Sequence, residues 1–125
     1  MFPKILLVMV GGSIGAFARY AVTLAANKLF GPKFPWGTLT VNLVGCFLIG
    51  LAFALADRSS LMGPRVRMFF VTGFLGALTT FSTFALESVN NARDGLMPIA
   101  TANFLANNIG GLALVLVGMW VAEAI

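Results

Sequence analysis

Long apolar runs without charges constrain this chain more than any other feature of its sequence. Three such runs cover residues 36–56, 68–86 and 96–122, and a fourth, residues 5–26, contains a single charge at Arg19. A helix needs about 20 mainly apolar residues to cross a bilayer. Arg19 lies close enough to the far end of its run to extend toward the headgroups. The sequence therefore predicts four transmembrane helices.

The overall composition excludes an ordinary soluble fold. Hydrophobic residues make up 59% of the 125-residue chain and charged residues only 10%, whereas a soluble domain has about 25% charged residues. A soluble fold this small leaves about a third of its surface in water and needs polar groups to cover it. The same figures exclude a disordered chain, which combines low hydrophobicity with high charge. Lipid must therefore be the solvent for most of this protein.

The segments between the runs are too short to hold a further domain. They cover residues 27–35, 57–67 and 88–95. We therefore predict that residues 1–125 form a single four-helix transmembrane domain. Glycines interrupt the first run ahead of an A-x-A pattern at residues 16–18, so we expect this run to stay as a membrane helix instead of being cleaved as a signal peptide.

Residue types typical of catalytic and metal sites are scarce. The sequence has no histidine and one cysteine, Cys46, inside an apolar run, which excludes a disulfide framework and a Cys/His zinc site. It contains no nucleophile–base pair and no phosphate-binding loop, so we expect no enzyme activity.

The net charge of +4 comes from scattered basic residues, which favours anchoring at lipid headgroups over binding of nucleic acid.

The basic residues are balanced between the two sides of the membrane. Four spans place both termini and the second connection on one side. That side carries Lys4, Arg58, Arg65 and Arg67, and the other carries Lys28, Lys33 and Arg93, with Arg19 added if it extends that way. The positive-inside rule gives such a chain no preferred direction. Either another factor orients it, or copies insert both ways and pair antiparallel. We favour the second, because four helices alone rarely enclose a solute path.

Small residues recur inside the spans. Gly11 and Gly15 form a G-x-x-x-G pair in the first run, and Gly45 and Gly50 lie in the second. The fourth contains Gly110, Gly111 and Gly118. In lipid, such positions let helix backbones approach closely. The pattern predicts a packed bundle and does not indicate a solute.

Uncharged polar residues inside the spans are costly unless they are paired, so their positions carry information. Thr38 and Asn42 share a face of the second span, and Asn103 and Asn107 share a face of the fourth. A single side chain of this kind usually bonds to its own backbone or to a neighbouring helix. Donors at similar depth in three spans also suit a second interpretation, a hydrophilic path through the bundle.

The third span contains the densest polar set. On a helix, Thr80, Thr83 and Glu87 would form one stripe, with Phe81 and Phe84 on an adjacent stripe. Amide and hydroxyl groups donate hydrogen bonds, and the edges of phenylalanine rings carry the positive part of the ring quadrupole. A path lined by donors and ring edges, without a buried ammonium group, suits a small anion that must bind without being trapped.

The same span combines poor helix formers near its middle. Gly73 and Gly76 precede the β-branched pair Thr79 and Thr80, and a break near Ala77 would fall close to the bilayer midplane. Carbonyls freed there must be satisfied by protein or by an ion. In an antiparallel dimer, two copies could present such carbonyls to one cation. An ordinary glycine packing notch explains the pattern equally well.

The motifs together resemble one known family. They are GGxxGA followed by RY at 11–20, GTLxxNxxG at 37–45, TGFxG at 72–76, and TTFSTF at 79–84 with Glu87. On these motifs the chain resembles the CrcB/Fluc family of bacterial fluoride channels, and the resemblance covers all four spans. The TTFSTF run after TGFxG is highly specific, whereas the G-x-x-x-G pair is not.

The resemblance implies an all-α membrane protein of four transmembrane helices, the third broken near its centre, that forms a dual-topology antiparallel homodimer. Two pores would carry fluoride passively out through the bacterial cytoplasmic (inner) membrane. The implied pore residues are Asn42, Phe81, Phe84, Thr38, Ser82, Thr83, Glu87 and Asn107, with Arg19 in a vestibule. The backbone carbonyls of Gly76 and Thr79 would hold a structural sodium ion at the dimer centre.

The fourth span departs from the family pattern. Asn103 stands where an aromatic residue is expected, and Asn107 where serine or histidine is expected. Both amides are donors, so we expect the pathway to survive.

Two other functions fit parts of the sequence. A small four-span drug/proton antiporter also forms antiparallel dimers, but it needs a titrating carboxylate within the membrane. No acidic residue precedes Asp57, and the remaining candidate, Glu87, lies near a span end. A small structural subunit of a larger complex would explain the glycines but not the donor-lined stripes.

Overall fold

The computed structural model describes residues 2–125, and these are helical almost throughout. Four helices are long and apolar enough to cross a membrane: Pro3–Phe30, Trp36–Arg58, Pro64–Arg93 and Met97–Ala124. The prediction of four membrane-length helices is confirmed. We name them α1 (Phe2–Phe30), α2 (Trp36–Arg58), α3 (64–78) followed by α4 (Phe81–Arg93), and α5 (Met97–Ala124).

The helices extend beyond the apolar runs that predict them. The first run ends at residue 26, but α1 continues to Phe30, with Lys28 in its last turn, where a basic side chain favours the helix dipole. Gly31 ends α1 at a φ of +81°, because glycine adopts this left-handed conformation without strain. Gly95 follows α4 at a φ of +79° in the same way. The connections are correspondingly shorter than predicted.

Close backbone contact joins α1 to α3. A Cβ at Gly11 would collide with the Phe69 carbonyl oxygen, and one at Gly15 with the carbonyl oxygen of Phe74. The G-x-x-x-G pair therefore lets α1 pack directly on the backbone of α3.

A second close contact joins α2 to α5. A Cβ at Gly50 would meet the Val115 carbonyl oxygen, and one at Gly118 the carbonyl oxygen of Phe47. The predicted packed bundle is thus built from two glycine-mediated pairs, α1 with α3 and α2 with α5.

Contacts between helix ends show which ends lie together. Arg58 at the end of α2 donates from Nη1 to the Ala122 carbonyl oxygen at 2.6 Å, where α5 ends. Lys4 of α1 lines a groove together with Pro64 and Arg67 at the start of α3. The N-terminal end of α1, the C-terminal end of α5 and the second connection therefore share one end of the bundle, as four antiparallel spans require.

The outward surface is strongly apolar, and the fully buried hydrophobic cluster is small. Val41, Leu75 and Leu78 form the centre of that cluster. Large apolar side chains are exposed along every helix, among them Phe17, Phe53, Leu112 and Trp120. In water such a surface would drive aggregation, whereas in a bilayer it contacts lipid tails.

Two stretches of the bundle are π-helical. They are Met68–Leu75 in α3 and Ala106–Gly110 in α5. A π-helical turn inserts one extra residue into an α-helix and changes the direction of the side chains that follow. The hydropathy pattern does not predict either stretch. Each lies beside the polar groups at the centre of the bundle.

Candidate functional site

The third span changes conformation in the middle of the bundle. α3 ends at Leu78, and α4 begins at Phe81. Between them, Thr79 has φ −85° and ψ 157°, and Thr80 has φ −151° and ψ 118°. Both residues therefore have extended backbone, which β-branched residues favour. The extended pair lies two to three residues beyond Ala77, the position expected from the sequence, and Gly73 and Gly76 stay within the helical part.

Thr80 acts as the N-cap of α4. Its Oγ1 accepts a hydrogen bond from the Thr83 N–H at 3.2 Å and donates one to Thr83 Oγ1 at 3.0 Å, the usual role of threonine at this position. The prediction that Thr80, Thr83 and Glu87 form one helical stripe is therefore wrong for Thr80, because α4 begins at Phe81. Thr83 and Glu87 are four apart in α4 and still share a face.

Asn42 of α2 holds both backbone groups of Thr80. Its Oδ1 accepts from the Thr80 N–H at 2.8 Å, and its Nδ2 donates to the Thr80 carbonyl oxygen at 3.1 Å. In a continuous helix the Thr80 N–H would bond to the Gly76 carbonyl. The Asn42 side chain thus replaces the helical acceptor that the Thr80 N–H loses at the extended turn, and it adds a second donor to the Thr80 carbonyl.

Arg19 satisfies another backbone group near the same turn. Its Nε donates to the Ala77 carbonyl oxygen at 3.0 Å, which in a continuous helix would accept from the Phe81 N–H. The expectation that Arg19 extends to the far end of α1 is wrong, because its guanidinium lies against the turn between α3 and α4. A cation at the C-terminal end of a helix is electrostatically favourable.

A chain of amide hydrogen bonds leads from Asn42 into α5. Asn42 Nδ2 donates to Asn107 Oδ1 at 2.9 Å. Asn107 Nδ2 donates to the carbonyl oxygen of Asn103 at 2.9 Å and to its Oδ1 at 2.8 Å. Asn103, with 0% of its surface exposed, donates in turn to Ser88 Oγ of α4 at 2.9 Å. The chain links three helices through side chains alone.

An aromatic pair lies beside this polar cluster. The rings of Phe81 and Phe84 are 5.6 Å apart between centroids and inclined at 60°, an edge-to-face arrangement. Phe84 is 6% exposed, whereas Phe81 is 77% exposed. Both line an open groove of about 370 Å³ together with Asn42, Thr79 and Thr80. The structure therefore brings the predicted aromatic pair next to the predicted asparagine.

The other predicted lining residues lie at different depths. Thr38 is 4% exposed and lies beside the carboxyl group of Glu87. Within residues 2–125, the buried Glu87 Oε1 has no hydrogen-bond partner. Thr83 is half-buried, and Ser82 is exposed next to Phe81.

The extended turn also releases backbone carbonyls. The Thr83 N–H bonds to Thr80 Oγ1, so the Thr79 carbonyl loses its helical donor. The Thr80 N–H bonds to Asn42, so the Gly76 carbonyl loses its helical donor as well. Carbonyl oxygens of this kind are suitable ligands for a hard cation. Within the described residues, no three His, Cys, Asp or Glu side chains come together as a metal site.

Sequence reasoning missed two groups of this site. Ser88 lies in the predicted third connection, outside every span, and the Ala77 carbonyl belongs to a residue without a polar side chain. Their roles depend on which helices pack together, and single-sequence patterns do not report that.

Four membrane-length helices that enclose polar groups define a multi-pass membrane protein. Residues 6–119 match the sequence model of a family described as CrcB-like protein, Camphor Resistance (CrcB). The chain belongs to this family, as the sequence resemblance predicts.

Individual relatives are similar over most of their length. A protein of Salinibacter ruber is 46% identical over 92% of this chain and 86% of its own. One from Legionella pneumophila strain Lens is 45% identical over 94% of this chain and 88% of its own. One from Nitrosococcus oceani is 38% identical over the full length of both. All three are named fluoride-specific ion channel FluC.

Proposed function

We propose that this chain is a fluoride-specific ion channel that carries fluoride passively out of the cell through the bacterial cytoplasmic membrane. Residues 1–125 would form a single channel domain. Relatives of similar length that are 38–46% identical carry this name. Hydrogen fluoride crosses membranes and ionises at cytoplasmic pH, and a channel would return the anion down its gradient. The observation that carries the proposal is the Phe81–Phe84 pair beside the polar turn.

The aromatic pair suits a small anion. Ring edges carry partial positive charge without a hydrogen-bonding group that could hold the anion tightly. Thr38, Ser82 and Thr83 add hydroxyl donors around the pair, and Arg19 places a cation near the turn. Fluoride gains most from such donors, because it is the smallest halide and loses the most hydration on entry. Weak contacts at several points let an ion enter and leave.

A second copy of the chain is needed to close the path. The groove beside Asn42 is open, and Phe81 is 77% exposed on it. We propose that the partner is a second copy in the opposite orientation, because the basic residues are balanced between the two sides. Each dimer would then have two equivalent pores. Each copy would contribute the same set of lining residues.

Dual topology can be tested by labelling a loop. In a Cys46→Ser background, Ser60→Cys places one thiol in the exposed connection between α2 and α3. A membrane-impermeant thiol reagent added to intact cells should label about half of the chains, because copies insert both ways. After permeabilisation all chains should react. Complete labelling or none in intact cells would show a single orientation.

The freed carbonyls fit a structural sodium ion. Gly76 and Thr79 lose their helical donors at the extended turn, and carbonyl oxygens are ligands that sodium prefers. In an antiparallel dimer, the two-fold axis would bring these carbonyls of both copies together. We propose that sodium, when bound there, neutralises their partial charge and holds the two interrupted helices against each other.

Sodium removal should destabilise the purified dimer. Exchange of sodium for N-methylglucamine at equal ionic strength is expected to lower the thermal unfolding midpoint by about 5 °C, because a ligand that binds only the folded state stabilises it. Potassium at the same concentration controls for ion size. An unchanged midpoint in N-methylglucamine would contradict the sodium site.

Transport assays separate the proposed channel from an antiporter. Proteoliposomes loaded with fluoride should release it without any pH gradient, since a channel needs no proton coupling. An antiporter would instead use a pH gradient to accumulate a lipophilic cation. Accumulation of the cation without fluoride release would overturn the proposal, and neither activity would favour a structural subunit.

A further inference from the structure

We propose that Asn103 and Asn107 are positioning residues that hold the Asn42 amide against the extended turn at Thr80. The two residues stand where this chain departs from the family pattern, and their roles do not follow from it. The inference rests on the proposed function, because their effect is measured as fluoride movement. It assigns them no contact with the anion.

Backbone groups fix the orientation of the amide chain at both ends. The Thr80 N–H can only donate, so the atom of Asn42 that faces it at 2.8 Å must be Oδ1. The Asn103 carbonyl can only accept, so the atom of Asn107 that faces it at 2.9 Å must be Nδ2. The bond between them then runs from Asn42 Nδ2 to Asn107 Oδ1. A flipped amide at either residue would bring like groups together.

Both side-chain donors of Asn42 are used inside the protein. One Nδ2 hydrogen goes to the Thr80 carbonyl and the other to Asn107, and Oδ1 accepts from the Thr80 N–H. In this conformation Asn42 has no hydrogen left for an anion. Its contribution is therefore to hold the turn that presents Phe81, with Asn107 fixing the direction of its amide.

Asn103 completes the chain from a fully buried position. Its Oδ1 accepts from Asn107 Nδ2, and its own Nδ2 donates to Ser88 Oγ in α4. Because the residue is 0% exposed, water cannot replace these bonds. Loss of Asn103 removes one acceptor from Asn107 and disconnects the chain from α4. Asn107 Nδ2 then keeps only its bond to the Asn103 backbone carbonyl, and its hold on Asn42 weakens.

A double-mutant cycle tests whether the two residues act as one unit. Asn103→Leu and Asn107→Ala are each expected to slow fluoride efflux from proteoliposomes about tenfold, since each leaves a buried amide unsatisfied. The double variant should be within about twofold of the slower single variant. Thr101→Val is the matched control, because it removes an exposed hydroxyl from the same helix. Effects that multiply in the double variant would contradict a shared chain.

A second readout separates positioning from loss of fold. The ¹⁵N and ¹H shifts of the Asn42 side-chain amide, identified by its absence in Asn42→Ser, report the two bonds of Nδ2. Asn103→Leu should move these signals while the protein keeps a single cooperative thermal unfolding transition and the dimer elution volume of Thr101→Val. Unmoved Asn42 signals would overturn the inference.

The outcomes also distinguish this inference from the proposed function. If the wild-type protein releases no fluoride, the proposed function fails whatever the amide signals show. If the wild type releases fluoride and Asn103→Leu does so equally fast, the channel assignment stands and the positioning role is wrong.

Discussion

Replacement of Phe81 by isoleucine is expected to abolish fluoride efflux while leaving the fold intact. Phe81 is 77% exposed, so the substitution opens no cavity in the core and should change stability little. Isoleucine keeps the apolar bulk but has no quadrupole, so the anion loses the positive ring edge that faces it. We expect the efflux rate in proteoliposomes, followed with a fluoride electrode, to fall at least about a hundredfold, which corresponds to ~3 kcal/mol of barrier.

The matched control for this substitution is Phe17→Ile. Phe17 is 71% exposed on α1, and it does not line the groove that contains Phe81. The same chemical change there should leave efflux within about twofold of the wild type. If Phe81→Ile releases fluoride as fast as Phe17→Ile, the anion does not pass the aromatic pair.

The substitution Asn42→Asp is expected to abolish efflux by a different route. An oxygen then replaces Nδ2, so two donated hydrogen bonds, to the Thr80 carbonyl and to Asn107 Oδ1, become contacts between acceptors. Each unsatisfied buried group costs about 1–3 kcal/mol, and a charged carboxylate in the bundle costs more. The extended turn should lose its support, with a lower unfolding midpoint and no measurable fluoride release.

Asn27→Asp is the control for the added carboxylate. Asn27 is exposed near the end of α1, where the same change introduces a charge but breaks no buried bond. Its efflux and unfolding midpoint should match those of the wild type. The account of Asn42 would be contradicted if Asn42→Asp retained both the stability and the efflux of Asn27→Asp.

The sequence predicts the parts of the fold that depend on local periodicity. Four membrane-length helices follow from the apolar runs, because lipid allows no unpaired backbone in a lipid-exposed span. The close contacts at Gly11 and Gly50 follow from small residues in such spans. The shared end of the bundle, marked by the Arg58 contact with α5, follows from the number of spans.

The sequence does not predict features set by contacts between distant residues. The spacing of Thr80 predicts a helical position. The Asn42 amide instead accepts a hydrogen bond from the Thr80 N–H, and α4 begins one residue later. Arg19 is expected to reach toward the headgroups, but the freed Ala77 carbonyl binds its Nε. From the sequence alone, Asn103 could line a pore or make a buried contact. Because α5 packs against α4, its side chain makes the buried contact with Ser88.

The interrupted third span links these observations. Arg19 from α1, Asn42 from α2 and Thr80 itself each satisfy one of the backbone groups that the extended turn releases. The turn is therefore held from several helices, and the N-terminal end of α4 carries Phe81 directly after it. A substitution that loosens the turn should alter the position of the aromatic pair without touching either ring.

Fluoride and chloride efflux by the wild-type protein test the central claim most directly. Purified protein is reconstituted into liposomes loaded with equal concentrations of the two anions, and release is followed with ion-selective electrodes in the presence of a potassium ionophore. The account predicts rapid fluoride release that protein-free liposomes lack, with chloride retained. Retention of both anions, or equal release of the two, would contradict a fluoride-specific channel.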